Sequence, residues 1–231
     1  AETLHRGKTW MRVFQASGRP QKAQNDAWVW RNGRLIRQEK AMVPAADLGL
    51  QYGFGFFETI RVQRGRICRL NDHRARFNRT WTALFEGLPP DLTWRHVIDQ
   101  VIEKNRLSDT TAAVKILATR GRDVAGGFDG VLMVSARAYT HRLEALGLNG
   151  LALVTYPHGR MTPIAEHKTL NYLYYYRAGA WARQNGGHEA LIVNPDRSVS
   201  ETNSASLLVV SGRTVTRPVS AHVLPGVMQA A

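Results

Sequence analysis

A chain of 231 residues with 44% apolar content is long enough to bury a substantial core in one or two globular domains, and too apolar to be disordered throughout. Its one cysteine, Cys68, excludes an intramolecular disulfide framework, and no run approaches the roughly 18 apolar residues that a membrane span requires. The formal charge of +13 raises nucleic acid as a partner, but the 31 Lys and Arg residues are dispersed, without an RNA-binding signature, metal-ligand spacing or helix-turn-helix pattern beside them. Anionic small ligands account for the charge equally well. The start, Ala1-Glu2-Thr3-Leu4-His5-Arg6, lacks the apolar core of a signal peptide, so a cytoplasmic location is expected.

Residues 1–24 are polar and punctuated by Gly18-Arg19-Pro20, which reads as an arm. Trp28-Val29-Trp30 and Arg34-Leu35-Ile36 flank Asn32-Gly33, the dipeptide of a tight type I′ hairpin. A second strand pair is expected over Phe56 to Val62 and Ile67 to Leu70, turning at Arg64-Gly65. Asn71-Asp72 can cap a helix carrying Phe77, Trp81 and Leu84, and Trp94, Val97, Ile98, Val101 and Ile102 repeat the helical spacing. Strands follow at Thr111 to Thr119 and Val131 to Ala136, then a polar linker around Tyr139 to Leu146. The second half reads as a strand Leu151 to Tyr156, a loop to Lys168, and a helix of Leu170, Tyr174, Arg177 and Trp181 that stops at Asn185-Gly186-Gly187. Strands Ala190 to Val193, Val199 to Glu201 and Ser206 to Val210 end the series, with no internal repeat.

Two segments of the second half stand out, His167-Lys168-Thr169-Leu170-Asn171 and Ser198-Val199-Ser200-Glu201-Thr202-Asn203. A lysine at the mouth of a helix and a carboxylate at the end of a strand are what pyridoxal phosphate needs: an amine for its aldehyde and an anion facing its ring nitrogen. Lys168 and Glu201 are the candidates, although taken singly each also reads as a surface lysine and a hairpin glutamate. A phosphate anchor is available in Asp72-His73-Arg74-Ala75-Arg76, where Arg76, in the first turn of its helix, could grip phosphate oxygens in a fork and Arg74 competes for that role. Leu224-Pro225-Gly226-Val227-Met228 has the form of a turn entering a helix, whose free N–H groups bind anions, and equally the form of a plain turn. No metal site is expected.

Together with Asp47 to Thr59, Thr119-Arg120-Gly121 and His188-Glu189-Ala190-Leu191, these segments resemble the class IV family of pyridoxal phosphate enzymes from about Trp28 to Met228. That family includes branched-chain and D-amino-acid aminotransferases and 4-amino-4-deoxychorismate lyase. The resemblance implies an α/β fold of two domains, a smaller one over 25–141 and a cofactor-binding one over 142–231, with pyridoxal 5′-phosphate in the cleft between them. It makes Lys168 the Schiff-base lysine, Glu201 the ring-nitrogen partner, and Arg76 with the Gly226, Val227 and Met228 backbone the phosphate grip. It also sets Arg120 and Phe57 against the substrate, a small anionic amino-bearing molecule, and implies a homodimer with no membrane or nucleic-acid partner.

The chain departs from the family pattern at Phe54, usually acidic, at Ser206, usually asparagine, and at Gln229, usually arginine. Family members continue for several dozen residues past Met228, so the cofactor domain is expected to be incomplete here. Within the family, Thr59 lacks the glycine of branched-chain enzymes, Phe57 replaces a tyrosine of D-amino-acid enzymes, and Glu201-Thr202-Asn203 lacks the Glu-Gly-Ser of both. These differences favour the lyase, which eliminates pyruvate from aminodeoxychorismate to give 4-aminobenzoate. The alternatives are transamination of branched-chain or D-amino acids with a 2-oxo acid acceptor and, more remotely, a non-catalytic basic nucleic-acid-binding module.

Overall fold

Asn32 and Gly33 both take positive φ, 44° and 89°, which turns Trp28–Arg31 (β1) back onto Arg34–Arg37 (β2) as the type I′ hairpin requires. The computed structural model describes residues 26–85, 87–122 and 128–230, so the expected arm over residues 1–24 lies outside the described residues. The hairpin is one edge of an antiparallel six-stranded sheet. Gly55–Gln63 (β3), Arg66–Ile67 (β4), Thr111–Thr119 (β5) and Leu132–Ala138 (β6) complete it in the order β2-β1-β6-β5-β3-β4.

The short helix Leu48–Tyr52 (α1) precedes β3 and is capped by Asp47, whose carboxylate accepts from the Gly49 backbone N–H at 2.7 Å and from Thr119 Oγ1 at 2.6 Å. One face of the sheet is covered by Leu70–Phe85 (α2) and Trp94–Lys104 (α3). Phe56 sits against Phe77 and Phe85 at ring separations of 4.9 and 5.1 Å, and all five apolar positions expected on α3 are buried. Alternation along β3 puts Phe56, Glu58, Ile60 and Val62 on this covered side and Phe57, Thr59, Arg61 and Gln63 on the other.

The local start of α2 corrects three expectations. Arg69 turns at φ 50°, which ends β4 at Ile67 and lets the helix begin at Leu70. Asn71 and Asp72 therefore lie within the first turn, Asp72 paired with Arg69 at 2.9 Å, and Arg76 falls in the second turn.

In the second half, Leu153–Thr155 (β7) and Glu189–Val193 (β8) run parallel, joined by the helix Leu173–Gln184 (α5), and Val199–Thr202 (β9) pairs antiparallel with β8. A parallel pair needs such a crossover, and Ala178 and Ala182 of α5 pack with Tyr156 and Ala190 beneath it. The expected linker holds a helix, Arg142–Leu146 (α4), capped by His141 and closed by Gly147 at φ 64°. Arg142 pairs with Glu189 and reaches Ser204, so the segment is tied to the second half. Leu170 lies outside α5, and β7 is shorter than the expected Leu151 to Tyr156. Instead of a strand over Ser206 to Val210, Val209–Ser211 (β10) forms a hairpin with Thr214–Thr216 (β11). The segment around Gly226 is a turn in which Gln229 and Ala230 N–H both donate to the Gly226 carbonyl, not the start of a helix among the described residues.

Candidate functional site

Lys168 is carried by the six-stranded sheet, not by a helix mouth. The Phe57 N–H donates to the Lys168 carbonyl at 2.9 Å, and the Leu170 N–H donates to the Gly55 carbonyl at 2.9 Å, so residues 168–170 run antiparallel to the start of β3. Two glycines make room for them. A side chain at Gly55 would meet Leu170 Cδ1 at 2.7 Å, and one at Gly53, which sits at φ 72°, would run into the Asn171 amide. The Gly53-Phe54-Gly55 and Lys168-Thr169-Leu170-Asn171 motifs are thus two halves of one contact.

The Lys168 amine lies 4.8 Å from the centre of the Phe57 ring and 5.8 Å from that of Tyr172, and makes no hydrogen bond or ion pair with a described residue. Burial lowers its pKa below the ordinary lysine value, the Arg76 charge adds to this, and Glu58 and Glu201 oppose it. A free amine at moderate pH is what a nucleophilic lysine requires. The Lys115 ammonium lies over the same Phe57 ring at 4.4 Å, and burial lowers its pKa too.

Glu201 is buried on β9, where the Tyr175 hydroxyl of α5 donates to Oε1 at 2.6 Å and is itself held by Arg160 Nη1 at 3.0 Å. Burial raises the Glu201 pKa, against the opposing pull of the Tyr175 hydrogen bond and of the Lys168, Arg160 and Arg76 charges. Burial likewise raises the Tyr175 pKa, and the Glu201 charge and hydrogen bond raise it further, so the phenol remains a donor. A cation placed against Glu201, such as a protonated pyridine, would draw the carboxyl toward its ionised form.

Arg76 is buried and doubly engaged. Its Nε and Nη2 both donate to the Glu58 carboxylate at 2.7 Å, and Nη1 donates to the Pro225 carbonyl at 2.8 Å. A guanidinium has five N–H donors, which leaves two, one on each terminal nitrogen. The structure thereby joins Arg76 to the Pro225-Gly226 turn, with Ser206 against the Gly226 α-carbon and Val227 buried, whereas Met228 is largely exposed. Arg74 is exposed on the same helix. Arg120 is placed only through its backbone, its N–H donating to the Phe54 carbonyl at 2.9 Å. A cavity of about 570 Å³ opens beside Arg76, Thr80, His167 and Pro225.

Glu58 lies within the Asp47 to Thr59 segment and has no role in the sequence reading, yet it is the residue that organises Arg76. The signal was present: a carboxylate on the apolar parity of β3 needs a buried cation, and His73 and Arg76 stand three apart on the facing helix. Tyr175 and Arg160 carried no comparable signal, because their meeting with Glu201 depends on how α5 packs on the three-stranded sheet.

The family model for amino-transferase class IV matches residues 55–231. An Arabidopsis thaliana branched-chain-amino-acid aminotransferase-like protein is 26% identical over 225 residues, covering 91% of this chain and 39% of that protein. A Mycobacterium tuberculosis bifunctional aminodeoxychorismate lyase / D-amino acid transaminase is 26% identical over 193 residues, covering 78% of this chain and 65% of its own length. Among solved structures, a hypothetical aminotransferase from Mycobacterium tuberculosis in its PLP-bound form superposes with a TM-score of 0.78 at 22% identity, over 88% of this chain and 75% of that one. The chain belongs to the class IV aminotransferases, a family of pyridoxal-phosphate-dependent enzymes with this mixed α/β fold, and pyridoxal 5′-phosphate is its cofactor. It spans about two-fifths of the Arabidopsis relative and about two-thirds of the mycobacterial one.

The residues present fit that cofactor: a desolvated amine for the aldehyde and a guanidinium with two N–H groups left for the phosphate, both without further partners among the described residues, and a buried carboxylate for the ring nitrogen. Arg76→Ala is expected to raise the dissociation constant for pyridoxal phosphate at least about tenfold, since each charged hydrogen bond contributes roughly 1.5–3 kcal/mol, while Arg74→Ala leaves it nearly unchanged. Because the alanine variant also strands the Glu58 carboxylate, Arg76→Lys, which keeps the charge and loses the fork, is titrated beside it. Equal effects at positions 74 and 76 would remove Arg76 from the grip.

Proposed function

We propose that the chain carries the cofactor machinery of a pyridoxal-phosphate-dependent aminotransferase acting on branched-chain or D-amino acids with a 2-oxo acid acceptor. The observation that carries this reading is the Lys168 amine, desolvated over the Phe57 ring while the Tyr175-held Glu201 carboxylate acts on it through charge. When bound, pyridoxal phosphate supplies an electron sink for negative charge at the amine-bearing carbon of the substrate. Lys168 would take the proton from that carbon and deliver it to the carbon of the cofactor that bore the aldehyde, and would run the transfer in reverse with the 2-oxo acid acceptor, which its lowered pKa favours. Glu201 keeps a proton on the ring nitrogen, and Arg76 with the Gly226-Val227 backbone holds the phosphate. Phe57 forms the floor beneath the amine, and Arg120 is assigned to the substrate carboxylate. We place the cleft between domains 25–141 and 142–231 of a homodimer.

The names of the relatives favour transamination, and aminodeoxychorismate lyase enters through the mycobacterial bifunctional protein. The lyase reading rests on Thr59, on Phe57 in place of a tyrosine, and on Thr202-Asn203 after Glu201. Thr202 is buried, with its hydroxyl donating to the Glu189 carboxylate and accepting from the Ser204 and Ala205 N–H groups, so it does little to shape a substrate pocket. Thr59 does face the open side of the sheet, beside Lys115, and keeps that second reading in play. Incubation with leucine, D-alanine or aminodeoxychorismate, with and without 2-oxoglutarate, separates them. Acceptor-dependent glutamate is expected from an amino acid. Pyruvate and 4-aminobenzoate released without acceptor, in the absence of glutamate formation, would replace this reading with the lyase.

A further inference from the structure

Glu58 is the one ionisable residue on the covered face of β3, among Phe56, Ile60 and Val62, and it is 2% exposed. Burying a carboxylate there costs several kcal/mol unless it is fully paired. It is paired on both oxygens. Oε1 accepts from Arg76 Nε at 2.7 Å, and Oε2 is shared between Arg76 Nη2 and His73 Nδ1, each at 2.7 Å. Burial alone would raise the Glu58 pKa, but the hydrogen bonds and charges of Arg76 and His73 outweigh it and hold the carboxyl below its ordinary value. The carboxylate is thus locked by His73 and in turn locks the side edge of the guanidinium.

We propose that Glu58 is a positioning residue for phosphate capture: by fixing Arg76 through its Nε/Nη2 edge, it holds the remaining N–H groups toward the cofactor's phosphate before the cofactor arrives. This rests on reading Arg76 as the phosphate grip. A free arginine loses rotamer entropy when it is immobilised, and a side chain already fixed in the apoprotein does not incur that loss on binding. The Pro225 carbonyl completes the fixation from the other half of the chain and aligns the guanidinium with the Gly226 turn. A glutamine at position 58 has one acceptor oxygen and turns an NH₂ group toward donors, so the two-point lock opens.

The test is titration of apoprotein with pyridoxal phosphate and with pyridoxal, which has the same aldehyde and ring but no phosphate, for the wild type, Glu58→Gln, Arg76→Ala and the double variant. Glu58→Gln is expected to weaken pyridoxal phosphate at least about tenfold and pyridoxal less than about twofold, with the double variant no weaker than Arg76→Ala, since coupled residues lose additivity. Equal loss of both ligands, or additive losses in the double variant, would make Glu58 a merely structural residue and overturn the proposal. If Arg76→Ala leaves the preference for the phosphorylated ligand intact, the grip itself has been misassigned, an outcome distinct from failure of Glu58 alone. Should Glu58→Gln not fold, His73→Gln, which loosens the carboxylate without removing its charge, is expected to weaken pyridoxal phosphate selectively. No selective loss there overturns the proposal equally.

Discussion

Lys168→Ala is expected to abolish covalent attachment of pyridoxal phosphate and to lower turnover by roughly a hundred- to ten-thousandfold from the lost proton transfers alone. The fold should survive. What Lys168 contributes to the architecture is its carbonyl, which accepts from Phe57 N–H and is untouched by truncating the side chain. In the apoprotein the variant also removes a group that is held desolvated. Because its folded pKa lies below the ordinary lysine value of 10.5, the unfolded chain binds more protons there, so stability rises with pH from the folded pKa up to that value. Lys168→Ala should flatten that rise. Borohydride reduction of the wild-type holoenzyme followed by peptide mapping identifies the attached lysine. The competitor is Lys115, whose ammonium lies over the same Phe57 ring, and reduced cofactor on Lys115 would refute the assignment.

Local chemistry explains which parts of this arrangement could be read along the chain. Asn32-Gly33 dictates its hairpin because few other dipeptides tolerate two positive φ values, and the apolar stripe of α3 identifies its buried face without ambiguity. The start of α2 differs from the expected cap at Asn71-Asp72 because a non-glycine residue, Arg69, takes positive φ, which no propensity argument anticipates. The support of Lys168 differs from the expected helix mouth for a different reason. Leu170 falls at helical spacing with Tyr174, yet its N–H is claimed by Gly55, more than a hundred residues earlier, so the helix waits until Leu173. Glu58 marks the boundary between the two kinds of information. Its parity on β3 announces a buried charge, whereas the identity of the partners and the second tie of Arg76 to Pro225, 149 residues away, exist only once the halves come together.

Glu201→Gln is expected to keep cofactor binding and to lower turnover by about a hundredfold or more, equivalent to roughly 2.7 kcal/mol of lost transition-state stabilisation. Glutamine still accepts from Tyr175, so the local packing and the Arg160–Tyr175–Glu201 chain remain, and what disappears is the negative charge that keeps a proton on the ring nitrogen. The pH profile supplies an independent reading. Burial lifts the Glu201 carboxyl above the ordinary glutamate value of 4.5, and the rate should fall as pH drops through that raised pKa, where the carboxyl becomes neutral and its hold on the ring proton is lost. A bound pyridinium pulls the same pKa down, so this acid limb should lie lower for turnover at saturating substrate and cofactor than for the carboxyl in apoprotein. The glutamine variant has no carboxyl at this position and should lack the limb. Steady-state rates from acid to neutral pH, with cofactor occupancy followed by absorbance at each pH, separate loss of charge from loss of cofactor. Unchanged turnover in Glu201→Gln at full occupancy would take Glu201 out of the mechanism and leave Tyr175 and Arg160 as packing residues around an ordinary buried carboxyl.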